Sequence, residues 1–136
     1  IGFREEYLVI CDYDNELDGF NKEAGYLAMK KLLELGPERP SAVFIASDIQ
    51  AIGAIHAIQE KGLQIPEDIA MVSFDDIELA EYFGLTTMRQ PIYAMGKLAV
   101  QRLMDKISGK GQELFQKTFQ PELIIRQSCG ATGRKL

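Results

Sequence analysis

The 136-residue chain is long enough for one domain, and its 46% apolar content can supply a buried core. Its 20 acidic residues outnumber the 15 basic ones, so the net charge of −5 offers no broad phosphate-binding surface. Cys11 and Cys129 have no metal-ligand spacing and are too few for a disulfide scaffold, and no run reaches the length of a membrane span. These features predict a soluble, reduced, cytoplasmic protein that contacts no membrane and holds no metal or cofactor.

Strand-like and helix-like segments alternate along the chain. The first half is predicted to contain a strand over Tyr7 to Cys11, a helix ending at Gly36-Pro37, a buried strand over 41–47 and a helix ending near Gly62. The second half is predicted to contain a strand over 69–74, a weaker strand over 85–90, the longest helix from Ile92 to Ile107, and a last strand over 122–127.

This alternation predicts an α/β fold with a mainly parallel sheet that is covered by helices on both faces. We expect a single domain over residues 1–129 and a flexible tail over 130–136.

Polar side chains follow two of the predicted buried strands. Ser47 and Asp48 come after the strand over 41–47, and Asp75 and Asp76 come after the strand over 69–74. Open parallel sheets bind ligands at the carboxyl ends of their strands. An edge rich in carboxylates suits donors such as sugar hydroxyls, purine N–H groups or amines, and it repels phosphate. The alternative is structural: Asp48 caps its helix, and the aspartate pair starts a turn.

The helix "DIQAIGAIHAIQ" carries apolar residues around most of its circumference, more than one sheet contact requires. A second apolar partner is therefore expected, either in another chain or elsewhere in the same chain. His56 lies in this helix without a second candidate ligand nearby, so we interpret it as structural or interfacial.

The runs "PSAVFIASDIQAIG", "GLQIPEDIAMVSFDD", "LTTMRQP" and "IIRQS" occur in an order and spacing that resemble the ligand-binding region of the lac repressor and galactose repressor family. The resemblance extends from about Phe20 to Ser128. It implies the C-terminal lobe of a type I periplasmic-binding-protein-like fold. Family members also carry a helix-turn-helix DNA-binding domain, a hinge and the first half of the ligand domain, so the chain is expected to be an incomplete effector-binding domain whose DNA contacts lie in a missing N-terminal domain.

The resemblance also implies roles for individual residues. Phe20 is expected to stack on the effector ring, Asp75 and Gln90 to bind the effector, and Ile92 to form a pocket wall. Ser47 stands where many members have an effector-binding asparagine, and Asp48 is grouped with these ligand-binding residues. Asp76 is expected to face loop backbone.

The family assembles as a homodimer, and the resemblance assigns the contact to Ile52, Ile55, Tyr82 and Phe83. The long helix after Ile92 packs on the other lobe in the family. The interpretation that follows is a bacterial transcriptional regulator that senses a sugar or nucleoside-like effector. The alternative is a periplasmic sugar-binding protein of an ABC transporter. An enzyme is disfavoured, because neighbouring Asp75 and Asp76 would normally point to opposite sides of a strand.

Overall fold

The computed structural model describes residues 4–10, 19–110 and 115–131. Its α-helices are α1 (Lys22–Leu33), α2 (Asp48–Glu60), α3 (Glu78–Tyr82) and α4 (Ile92–Ile107). Its strands are β1 (Ala42–Phe44), β2 (Ala70–Asp75), β3 (Thr86–Arg89) and β4 (Glu122–Ile124). Short 3-10 helices occupy Glu5–Tyr7, Gly36–Glu38 and Gln127–Cys129.

The strands form one sheet in the order β1-β2-β3-β4. The β1–β2 and β2–β3 pairs are parallel, whereas β4 runs antiparallel to β3. The prediction of a mainly parallel α/β sheet is therefore confirmed. Because β1, β2 and β3 share a direction, their carboxyl ends meet at one edge of the sheet, and the segments 45–48, 75–77 and 90–92 all leave from that edge.

The hydrophobic core lies between the sheet and the α1–α2 layer. It contains Met29 and Leu32 of α1, Ile58 of α2, Met71 of β2, and Leu85 just before β3. Helices α1 and α2 cross at two glycines. A Cβ atom on Gly25 would lie 1.9 Å from the Gln50 carbonyl oxygen, and one on Gly53 would lie 1.9 Å from the Lys22 carbonyl oxygen. Only glycine permits this close backbone approach, which brings the apolar arc of α2 against α1.

The first predicted strand does not form in the described residues. Tyr7 ends the 3-10 helix Glu5–Tyr7, and Leu8 to Ile10 belong to no strand; Cys11 lies outside the described ranges. The Tyr7 hydroxyl donates to the Glu38 carbonyl oxygen at 2.7 Å, and Arg4 pairs with Glu38 at 3.1 Å. These polar contacts hold the segment against the turn after α1 instead of aligning it with β1.

The cover of the sheet is less complete than predicted. Helices α1 and α2 cover one face, but Phe44 points from β1 to the other face and is exposed. Helix α4 has an apolar face, and none of its side chains is buried. None of the helices in the described ranges is long and apolar enough to cross a bilayer.

Candidate functional site

The turn that follows β2 holds the aspartate pair in an unusual backbone conformation. Asp75 has a φ of 116° and Asp76 a φ of 57°, both in the region that L residues rarely occupy. Such a conformation costs free energy, so the surroundings must hold it in place. The turn is held from two sides: the Ile77 amide donates to Asp48 Oδ2 at 2.9 Å, and the Asp76 amide donates to Thr87 Oγ1 at 3.3 Å.

Asp75 and Gln90 lie together, although 15 residues separate them in sequence. Gln90 Nε2 donates to Asp75 Oδ1 at 2.8 Å, and both side chains are half-buried. The contact arises because Asp75 is paired in register with Arg89 across the parallel β2–β3 ladder, which places Gln90 beside it. Asp75 Oδ2 has no hydrogen bond among the described residues, so the pair presents one carboxylate oxygen to an incoming donor.

Asp76 has a different environment from its neighbour. Its side chain is only 6% exposed, and Arg89 Nε lies 2.5 Å from Oδ2 while Arg126 Nη2 lies 2.8 Å from Oδ1. The Arg126 contact is an ion pair in which the N–H bond does not point at the oxygen. Burial raises the pKa of Asp76, but the contacts with Arg89 and Arg126 outweigh burial and leave the pKa below its usual value. The expectation that Asp76 faces loop backbone is therefore corrected: its side chain binds two arginines.

Asp48 does not fit the predicted role of a ligand contact. Its carboxylate is fully buried and accepts bonds from Ser73 Oγ at 2.5 Å, Thr87 Oγ1 at 2.7 Å and the Ile77 amide at 2.9 Å. The prediction that Asp48 caps its helix also needs correction, because Asp48 is the first residue inside α2. The cap is Ser47, whose backbone is extended and whose Oγ accepts from the Gln50 amide at 3.3 Å.

Ser47 follows the carboxyl end of β1, as predicted, but its hydroxyl is directed into the protein. Its side chain is buried, and its Oγ donates to Gln50 Oε1 at 3.2 Å. Gln50 Nε2 in turn donates to the Gly19 carbonyl oxygen at 2.7 Å. Sequence reasoning missed Gln50, which ties the start of α2 to the residue before Phe20. The sequence did contain a signal, because Gln50 is a polar residue within the otherwise apolar helix "DIQAIGAIHAIQ".

Phe20 is 59% exposed and borders a cavity of about 600 Å³ beside β1. The cavity wall is mainly apolar and includes Ile10, Phe44 and Ala46, with Gln50 as a polar contributor. Among the described residues, Ser47, Asp75 and Gln90 do not border this cavity. The structure therefore groups Asp75 with Gln90, and Phe20 with Gln50 and Ser47, as two neighbouring clusters. Ile92, the predicted pocket wall, is exposed at the start of α4.

The residues predicted for a dimer contact divide into two groups. Ile52 is 9% exposed and Ile55 is 6% exposed within this one chain, where both belong to the core. Helix α1 supplies the second apolar partner that the wide arc of α2 requires, yet both isoleucines also border a cavity that Phe83 lines, so their assignment to a dimer contact stays a prediction. Tyr82 and Phe83 are 77% and 46% exposed, so they remain available for a contact.

The single histidine lies on the outer surface of α2. His56 is exposed, with its ring centre 5.4 Å from that of Tyr26, and together with Phe83 it borders a cavity of about 350 Å³. Within the described ranges, no group of three or more His, Cys, Asp and Glu side chains is placed to hold a metal ion.

The family model for the periplasmic binding protein-like domain matches residues 2–129 of the chain. Among curated relatives, the HTH-type transcriptional repressor MelR of Bacillus subtilis is 44% identical over 120 residues, covering 86% of this chain and 34% of that protein. The HTH-type transcriptional repressor PurR of Erwinia tasmaniensis is 41% identical over 130 residues, covering 94% of this chain and 36% of that protein. The chain thus spans about a third of the length of these relatives.

Solved structures agree with this comparison. The transcriptional regulator CelR in complex with cellobiose aligns with a TM-score of 0.76 and 32% identity, covering 83% of this chain and 37% of that one. A LacI family transcriptional regulator from Enterococcus faecium with bound ribose aligns with a TM-score of 0.72 and 32% identity, covering 80% and 40%. The chain belongs to the periplasmic-binding-protein-like domain family, in the form found in LacI-type transcriptional regulators.

Proposed function

We propose that this chain is part of the effector-binding domain of a LacI-type transcriptional regulator and that its effector is a sugar or a nucleoside-like molecule. The observation that carries the proposal is the Asp75–Gln90 pair at the carboxyl end of the parallel sheet. A carboxylate and an amide together offer both acceptors and donors, which is what a polyhydroxylated ligand requires. The cellobiose and ribose complexes of similar regulators support a sugar.

The remaining parts of the proposal follow from this assignment. Effector binding would favour one of two arrangements of the domain and so change DNA binding by a helix-turn-helix domain. The protein would act in the cytoplasm without catalysing a reaction, as the relatives named repressors suggest. Phe20 is proposed to stack on the effector, with Ser47 and Gln50 fixing the position of its loop.

The alternative is a periplasmic sugar-binding protein of an ABC transporter, the class of protein after which the matching domain is named. The sequence encoded immediately upstream in the same reading frame separates the two. A helix-turn-helix segment supports the regulator, and an export signal supports the transporter component.

Replacement of Asp75 by Asn should weaken effector binding by about 1 to 3 kcal/mol, because a charged acceptor is lost while the side-chain volume is kept. Thermal-shift screening of the complete protein against cellobiose, ribose and nucleosides would identify a ligand, and calorimetric titration would then compare the variants. Phe20→Ala should also weaken binding. Glu67→Gln, at an exposed position in the loop before β2, serves as the charge-matched control and should bind normally. An Asp75→Asn variant with unchanged affinity would remove Asp75 from the site.

We further propose that the complete protein forms a homodimer in which the exposed Tyr82 and Phe83 contact the second copy. Such aromatic pairs are typical anchors of protein interfaces. Changing both residues to serine should weaken self-association by more than about tenfold, because each removes a large apolar side chain from the contact. Sedimentation equilibrium measures this directly. Tyr93→Ser, at another exposed aromatic on α4, is the control; an equal loss in the control would contradict the assignment to Tyr82 and Phe83.

A further inference from the structure

The Asp75–Ile77 turn is connected to the buried start of α2 through two side chains. Asp48, the first residue of α2, accepts the Ile77 amide on Oδ2 and the Thr87 hydroxyl on Oδ1. Thr87 lies on β3, and its Oγ1 accepts the Asp76 amide at 3.3 Å while donating to Asp48. The carboxylate and the hydroxyl therefore bind consecutive backbone amides of the turn. We call Asp48 and Thr87 the turn clamp.

The clamp acts on a backbone that would not hold its conformation unaided. Asp75 and Asp76 both have positive φ values, and neither is glycine. The direction of the Asp75 side chain depends on those dihedral angles, and the Gln90 contact depends on that direction. Because Asp48 is fully buried, it does not touch a ligand itself.

We infer that Asp48 and Thr87 are positioning residues for effector binding, which hold the turn so that Asp75 faces the ligand. The inference rests on the proposed function, since it assigns the clamp an effect on that same site. The clamp also connects the ligand turn to α2 and, through Ile77, to α3, which ends at the exposed Tyr82 and is followed by the exposed Phe83.

Ser73 provides a matched control within the same cluster. Its hydroxyl donates to Asp48 Oδ1 at 2.5 Å, as the Thr87 hydroxyl does at 2.7 Å, and both side chains are fully buried. Only Thr87 also binds a turn amide. Thr87→Val and Ser73→Ala therefore each remove one donor to the same carboxylate, but only Thr87→Val releases the Asp76 amide.

Asp48 itself can be tested with a conservative replacement. In Asp48→Asn the side-chain oxygen can still accept the Ile77 amide, while the new NH₂ group faces hydroxyls that are able to accept. Asp48→Ala leaves the Ile77 amide without its acceptor. The turn should therefore be retained in the Asn variant and loosened in the Ala variant.

The experiment uses the complete protein and two readouts. Hydrogen exchange of the Asp76 and Ile77 amides, measured without ligand, should quicken by about tenfold in Thr87→Val and Asp48→Ala, which corresponds to one lost hydrogen bond. It should change by less than about twofold in Ser73→Ala and Asp48→Asn, which keep both amide bonds. Affinity for whichever of cellobiose and ribose binds the unsubstituted protein should fall in the same two variants.

The possible results distinguish a specific effect of the turn clamp on effector binding from a general loss of protein stability. Equal losses of affinity in Ser73→Ala and Thr87→Val would overturn the inference, as would unchanged amide exchange in Thr87→Val. If Asp48→Ala does not fold, the Thr87→Val and Ser73→Ala pair still decides the question. If neither sugar binds the unsubstituted protein, cellobiose and ribose are excluded as effectors, the affinity comparison uses the nucleoside that binds in the screen, and the amide exchange still shows whether the clamp holds the turn.

Discussion

Replacement of Gly25 by alanine should destabilise the complete protein by about 2 to 4 kcal/mol, because the new methyl group overpacks the helix crossing. The Cβ atom would lie 1.9 Å from the Gln50 carbonyl oxygen, which is helix backbone and cannot rotate away. Gly53→Ala should have a similar effect against Lys22. Helices α1 and α2 would have to separate, and the core between them would lose its packing.

Urea unfolding of the purified variants measures this effect. Gly96→Ala is the matched control, since Gly96 lies within α4 with no atom within 4 Å of the added carbon. That change should stabilise the protein by about 0.5 to 1 kcal/mol through helix propensity. If the Gly25→Ala variant is as stable as the wild type, the two helices do not approach as closely as the structure describes.

Replacement of Asp76 by asparagine should destabilise the protein by about 2 to 3 kcal/mol at pH 7, because it leaves the largely buried Arg126 without its counterion. Arg126 is 15% exposed and also donates to the Leu85 carbonyl oxygen, so it cannot turn toward water without breaking that bond. Glu122→Gln is the control. Glu122 pairs with the same Arg89 at 3.8 Å but is 71% exposed, and a surface pair of this kind contributes little.

The Asp76 contribution should also depend on pH. Its pKa in the folded protein is lower than its usual value, so the ionised form is stabilised by folding. The stabilisation is complete above the unfolded pKa of about 3.9 and is lost as the pH falls through the lower folded pKa. Urea unfolding at pH 7 and in strong acid should therefore show the gap between wild type and Asp76→Asn closing at low pH. A gap that is constant over this range would contradict the ion-pair assignment.

The order of strands and helices was predictable because continuous apolar runs typical of buried strands differ clearly from runs in which apolar residues recur at helical spacing. The strand predicted over 69–74 is observed as Ala70–Asp75, and the helix predicted from Ile92 to Ile107 has those bounds. The described residues Tyr7 to Ile10 belong to the segment Tyr7 to Cys11, which was predicted as a strand from its apolar character. Their observed conformation depends on Glu38, a contact 31 residues away, which no local pattern encodes.

For the site, the sequence predicted which polar residues follow the ends of strands, but it did not predict all of their contacts. Asp75 and Gln90 meet because of the β2–β3 register, which follows from the strand order. Asp48 was misassigned because a one-residue difference in the helix start decides whether Ser47 or Asp48 is the cap, and that depends on backbone dihedral angles. Gly25 and Gly53 allow α1 to cover the apolar surface of α2. A glycine within a helical sequence pattern does not indicate which other helix it will contact.

The central claim is that Asp75 and Gln90 bind the effector of a regulator. A crystal structure of the complete protein with its bound sugar tests this most directly. We predict that Asp75 Oδ2 and the Gln90 amide lie about 3 Å from sugar hydroxyls, the distance of a hydrogen bond. A sugar bound elsewhere, with the Asp75–Gln90 bond intact and neither side chain in contact with it, would contradict the claim.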